Sequence, residues 1–231
     1  MNKKQLEFTS ILNDAFGQYE RRISNYMKEK KDEYIMNATF ITPGSYTDDE
    51  IFYRVAFAIL SANSPFEDSV KALNVCIKKR SAGIAIAPRD IVWFKQVPAK
   101  AKYINRLNRS CLQMLTKQCE ETWHNYRLRL KRSVQGLGLA KASFAAALLY
   151  PLTADVACVD TWIQKVFLGN TGFKQLGVSD YLIVESKIRT FANCHGVSTF
   201  LAQWLIWDHA RGGRPNAHAI FPGSHKGSAM L

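Results

Sequence analysis

Apolar residues recur along this chain at steps of three and four, and almost nowhere alternate with polar ones. Between residues 4 and 36, Leu6, Leu12, Phe16, Tyr19, Ile23 and Met27 mark one face of a long helix. Pro43-Gly44-Ser45 breaks the pattern. Thr47-Asp48-Asp49-Glu50 then offers a hydroxyl cap followed by acids that complement the helix dipole, and the helix it starts runs through Ile51 to Leu60. Ser64-Pro65-Phe66-Glu67 reads as a capping box with proline at the first helical position, opening a helix to about Lys79 that Ser81-Ala82-Gly83 ends. Pro88-Arg89-Asp90 and Pro98 bracket a short helix, and Ala99 to Leu115 reads as one basic helix. Glu120 to Ser133 forms the next. A glycine turn follows at Val134-Gln135-Gly136-Leu137-Gly138, then an Ala-rich helix from Leu139 to Tyr150 that Pro151 stops. Helices are also expected over Asp160 to Leu168, Ser179 to Ala192 and Ser198 to His209, before a loosely ordered Gly/Pro-rich tail from Gly212 to Leu231. Tight hairpin turns flanked by alternating strands are missing, so the expected fold is all-α. The expected division is two helical lobes, one formed by residues 1–60 with 152–231 and one by 61–151, the latter ending in a helical hairpin at about 122–150.

Composition narrows the class of partner. Thirty-one Lys and Arg against 19 Asp and Glu give a net charge of +12, and such a chain is drawn to polyanions, nucleic acid above all. The best apolar run, Phe144 to Leu149, is far short of the roughly 20 residues a bilayer requires. No apolar signal core follows Met1-Asn2-Lys3-Lys4, so an intracellular setting is expected, in the cytoplasm or with the nucleoid or nucleus. The five cysteines, Cys76, Cys111, Cys119, Cys158 and Cys194, are scattered without CxxC spacing. A disulfide framework, a zinc site and an iron–sulfur cluster are all disfavoured on that ground.

The glycine turn is the most informative stretch. Glycines on either side of Leu137 permit a sharp reversal, because glycine accepts positive φ without a side-chain clash. Backbone N–H groups at the start of the next helix would then face an anion such as a DNA phosphate, with Leu137 anchoring the turn inward. Ala142, Ala145, Ala146 and Ala147 would let the two helices approach closely. An ordinary turn between helices has the same spacing. Downstream, Val159-Asp160-Thr161-Trp162 sets a carboxylate at a helix amino terminus, where the dipole favours negative charge. That is equally the place for a simple capping aspartate.

Taken together, these segments resemble the helix-hairpin-helix DNA glycosylase superfamily, which includes endonuclease III, 8-oxoguanine glycosylase and AlkA-like enzymes. The turn V-Q-G-L-G looks like that family's L-P-G-V-G, and V-D-T-W looks like its V-D-T-H, whose aspartate is essential. Leu60-Ser61-Ala62-Asn63 is similar to L-S-A-Q, and Lys100-Ala101-Lys102-Tyr103-Ile104 to the segment K-A-x-x-I. The order and approximate spacing of all four agree, over roughly residues 50 to 170. The resemblance implies a monomeric enzyme on double-stranded DNA that flips a damaged or modified base out of the helix and cleaves its N-glycosidic bond. Asp160 would stabilise the charge developing on the sugar, and Asn63 would be the wedge filling the gap, or else simply cap the break before Pro65. Gln135, Gly136, Leu137, Gly138, Lys141, Lys100 and Lys102 would meet the DNA backbone.

One departure from the family bears on the chemistry. Bifunctional members carry a lysine two residues after the second hairpin glycine, where Ala140 stands here with Lys141 next along. Lys141 is then an amine nucleophile forming a Schiff base, or a phosphate ligand beside an enzyme that uses water. No cofactor is expected beyond a monovalent cation of the kind family hairpins often hold, and the four-cysteine cluster of the endonuclease III-like members is missing from the tail. Trp204, Trp207 and Asp208 share a helix face and, with Trp162 and Phe144, are candidates for the base pocket; the same pattern suits a buried core. A non-catalytic DNA-binding module, or an enzyme that edits bases, is the alternative on this fold.

Overall fold

The periodicity is realised as ten α-helices and one 3-10 turn, with no strand among the described residues. The computed structural model describes residues 3–42, 45–92, 97–169 and 176–212; Pro43, Gly44 and the tail beyond 212 lie outside them. The described residues form two units, one holding those up to Phe40 and from Pro151 to Gly212, the other those from Ile41 to Tyr150. The expected boundary at 60 is therefore displaced by one helix. The reason is α2 (Asp48–Leu60), which is apolar nearly all round and packs against α3, α4, α5 and α7.

The second unit is built around α2, of which Ile51, Phe52, Val55 to Leu60 are buried. Thr47 caps it as expected, with the reciprocal Glu50 bonds of a full capping box. Next come α3 (Phe66–Ser81), the 3-10 turn Pro88–Ile91, α4 (Val97–Asn105), α5 (Arg109–Gln113), α6 (Trp123–Ser133) and α7 (Leu139–Leu149). The capping box expected at Ser64 is not formed. Pro65 itself is the N-cap of α3, without a side-chain bond, and the Ser64 hydroxyl turns to the Ala62 carbonyl instead. The single basic helix expected over Ala99 to Leu115 is split, because the Asn108 side chain accepts from the Cys111 amide and starts α5 afresh. Helices α6 and α7 pack on one another, and Ala142, Ala145 and Ala146 of α7 are fully buried.

In the first unit, α1 (Lys3–Ile41) presents a buried stripe of Phe8, Leu12, Phe16, Ile23, Met27, Tyr34 and Ala38. Leu6, placed on that face by spacing, is 54% exposed, and Phe8 takes its place. Phe16 stacks on Phe167 at 4.3 Å and meets Phe191 edge-on at 5.7 Å. These contacts join α1 to α8 (Thr161–Leu168) and α9 (Val178–His195). The last helix, α10 (Thr199–Ala210), starts at the Ser198 cap and packs on α8 and α9. No described helix is long and apolar enough to cross a membrane.

Candidate active site

In the second unit, the turn between α6 and α7 has the form its glycines predict. Gly136 adopts φ +91°, a conformation that side-chain-bearing residues rarely take. A Cβ there would sit 2.5 Å from Cδ2 of Tyr103, so a ring of α4 lies directly beneath the turn. Leu137 is buried and anchors it, its amide bonded to the Val134 carbonyl at 3.3 Å. Gly138 is the N-cap of α7 and offers no side-chain cap to the first amides of that helix. Gly136 and Gly138 are both exposed, as is Gln135, whose amide oxygen accepts from Arg106. Neither Tyr103 nor Arg106 was singled out from the sequence, because nothing local marks a ring that supports a turn more than thirty residues away. Lys141, half-buried in the first turn of α7, holds its ammonium 5.2 Å from the Phe144 ring. Phe144 in turn packs against Phe57 at 5.9 Å.

The segment following α2 is the second feature of this unit. Asn63 is exposed and has φ +53°, the one positive φ outside glycine among the described residues. Asparagine tolerates this region better than most residues because its short amide bonds locally. Lys102 is exposed on α4, where a phosphate could reach it. Lys100 is not. It is 3% exposed, and its ammonium donates to the Leu60 carbonyl at 2.8 Å, the Ala62 carbonyl at 2.6 Å and the Ser64 hydroxyl at 2.7 Å. The DNA contact expected of Lys100 is therefore replaced by contacts within the protein. Burial pushes its pKa down to about 8, and the positive charge of Lys141 adds to the shift.

The first unit carries the carboxylate. Asp160 is the N-cap of α8, its Oδ1 accepting from the backbone amides of Trp162 and Ile163, each at 3.0 Å. Its Oδ2 accepts from the indole Nε1 of Trp207 at 2.9 Å. Both oxygens are thus oriented, one by the helix start and one by α10, while the residue stays half-exposed. Arg211 lies over the Trp207 ring at 4.1 Å. Trp162, 38% exposed, carries Lys165 above its ring at 4.6 Å.

Trp207 is thereby separated from its neighbours on α10. Trp204 is 5% exposed, stacked on Phe200 and edge-on to Tyr34. Asp208 is fully buried and accepts from the Tyr34 hydroxyl. Burial and the adjacent Asp208 charge raise the Tyr34 pKa. These two candidates for the base pocket are enclosed in the core of their unit, the outcome that the shared helix face equally allowed.

No family model and no curated protein matches the sequence. Solved structures do. An 8-oxoguanine DNA glycosylase of Methanocaldococcus jannaschii superposes with TM-score 0.70 at 18% identity, over 87% of this chain and 98% of that one. A glycosylase/lyase of the same organism, in complex with a 15mer DNA containing 8-oxoguanine, gives 0.66 at 19% identity over 83% and 96%. The 8-oxoguanine DNA glycosylase of Thermotoga maritima gives 0.67 at 18%, over 86% and 98%. Likeness at this level of identity is a likeness of fold: the chain has the all-helical architecture of the 8-oxoguanine DNA glycosylases.

Proposed function

We propose that this protein is a DNA glycosylase, cleaving the bond between the sugar and a damaged or modified base extruded from duplex DNA. The observation that carries the reading is Asp160, whose two oxygens are fixed by three donors on a half-exposed helix start. Simple capping needs only Oδ1, so the Trp207 bond to Oδ2 is the part that capping leaves unexplained. As the C1′–N bond breaks, its electron pair leaves with the base and positive charge grows on the sugar; an oriented carboxylate stabilises that charge. The exposed turn at Gln135–Gly138 and the uncapped amides of α7 suit a backbone phosphate, with Lys141 in the first turn of α7 and Lys102 exposed on α4 as further ligands. A monovalent cation, were one bound, would be held by backbone carbonyls of the Val134–Gly138 turn and would supply positive charge towards that phosphate. Asn63, exposed at a strained backbone position, suits the role of wedge.

Two routes complete the reaction. Water adding to C1′ leaves an abasic sugar. Attack by the Lys141 amine instead forms a C1′–N bond, opens the sugar to a Schiff base and permits elimination of the 3′-phosphate. Because the structural relatives are described as acting on 8-oxoguanine, that lesion is the first substrate to try, alongside uracil, alkylated bases and oxidised pyrimidines. The wild type is expected to release at least one of them, and Asp160→Asn none, at unchanged duplex affinity. Equal release by both proteins removes Asp160 from the mechanism. Salt-sensitive binding without product from any duplex would identify a binding module instead. Borohydride trapping separates the two routes: an adduct lost in Lys141→Gln assigns the amine, and its persistence points to another.

A further inference from the structure

We infer that Lys100 is a positioning residue for base extrusion, holding the segment from Leu60 to Ser64 so that Asn63 projects from it. The inference rests on the glycosylase reading for its functional consequence, though not for its geometry. An ammonium has three donors, and here each has its own acceptor: the carbonyls of Leu60 and Ala62 before Asn63, and the hydroxyl of Ser64 after it. The two flanks of the residue are tied to one point. Leu60 is the last residue of α2, so its carbonyl is among those that a helix leaves without an intrahelical partner, where a cation is favoured. Between these ties Asn63 is exposed at φ +53°. A residue in that region holds its conformation only where its surroundings impose it. With its ammonium enclosed by the chain's own oxygens, Lys100 cannot also serve a phosphate. Lysine also suits the place better than arginine, whose rigid planar fork does not converge three donors on acceptors around one atom.

The arrangement is tested with Lys100→Met, which keeps an unbranched chain and deletes the donors. In the free protein, amide hydrogen exchange at Asn63 and Ser64 is expected to rise at least about tenfold. Extrusion, read from the fluorescence of 2-aminopurine placed beside a lesion, is expected to fall about tenfold or more. In an Asn63→Ala background, Lys100→Met should add little, because both act through one residue. The salt dependence of duplex binding should stay as it was. A logarithmic slope shallower by about 0.9 would make Lys100 a phosphate ligand and overturn the inference. Unchanged exchange at Asn63 and Ser64, or additive effects in the double variant, would do the same. Should Lys100→Met fail to fold, Ser64→Ala removes one of the three ties and carries the same expectations in weaker form. A wild type that releases no base would refute the glycosylase reading and leave the exchange measurement to decide the geometry.

Discussion

Trp207 and Lys100 each lend a neighbour its geometry, and each makes a measurable claim. The indole of Trp207 donates to Oδ2 of Asp160, and a hydrogen bond to a charged group contributes about 1.5–3 kcal/mol. Trp207→Phe keeps an aromatic ring and deletes the donor, so base release is expected to slow about tenfold or more at little change in duplex affinity. Equal rates would mean that the two backbone amides orient the carboxylate unaided. For Lys100, with its pKa depressed to about 8, the sign follows from proton counting. Between about 8 and the ordinary lysine value the unfolded chain binds the extra proton and the folded chain does not, so this group makes stability rise with pH across that window. The difference in urea midpoint between wild type and Lys100→Met should therefore grow in the wild type's favour from pH 8 to 10; a flat difference refutes the shift. Asp160 was legible in the sequence as a cap within V-D-T-W, but its indole partner was not, lying 47 residues away. Trp204 and Asp208 show the converse limit: a shared helix face is the same signal whether it meets a ligand or, as here, Tyr34.

Among the elements, the α6–α7 turn was read most fully, because glycine's freedom is a local property that survives any packing. Its support was not legible. Tyr103 lies beneath Gly136, and only the folded chain brings the two together. Gly136→Ala combines a positive φ with a Cβ 2.5 Å from that ring, and is expected to lower stability by about 1–3 kcal/mol. Denaturant unfolding measures this, and Tyr103→Leu in the same chain should relieve only the steric share. Full recovery would assign the whole cost to the ring. Boundaries fared worse where polar side chains decided them. Asn108 divides a stretch that reads as one helix, and Ser64 abandons the capping role its spacing suggests for a bond to Lys100. Such choices turn on competing partners that helical periodicity does not encode.

Across the whole chain, the net charge of +12 sets a class of partner but not a place of contact. Lys102, Lys131 and Arg132 are exposed near the ends of α4 and α6, and Lys141 is half-exposed on α7. If these four neutralise one phosphate each, the logarithm of duplex affinity should fall against the logarithm of salt with a slope of about −3.6. A titration giving a slope near zero would deny that these residues meet DNA. The all-α class followed from periodicity, whereas the assignment of α2 did not, since a helix apolar nearly all round names no neighbour. One detail of the fold reaches beyond stability. The carboxylate proposed for the chemistry also starts a helix, and asparagine starts helices about as well as aspartate. On the glycosylase proposal, a chain in which asparagine had replaced Asp160 would thus keep its shape and its duplex affinity while losing base release. Recognition and bond cleavage would then part at a single side chain, by exchange of one carboxylate oxygen for an amide nitrogen.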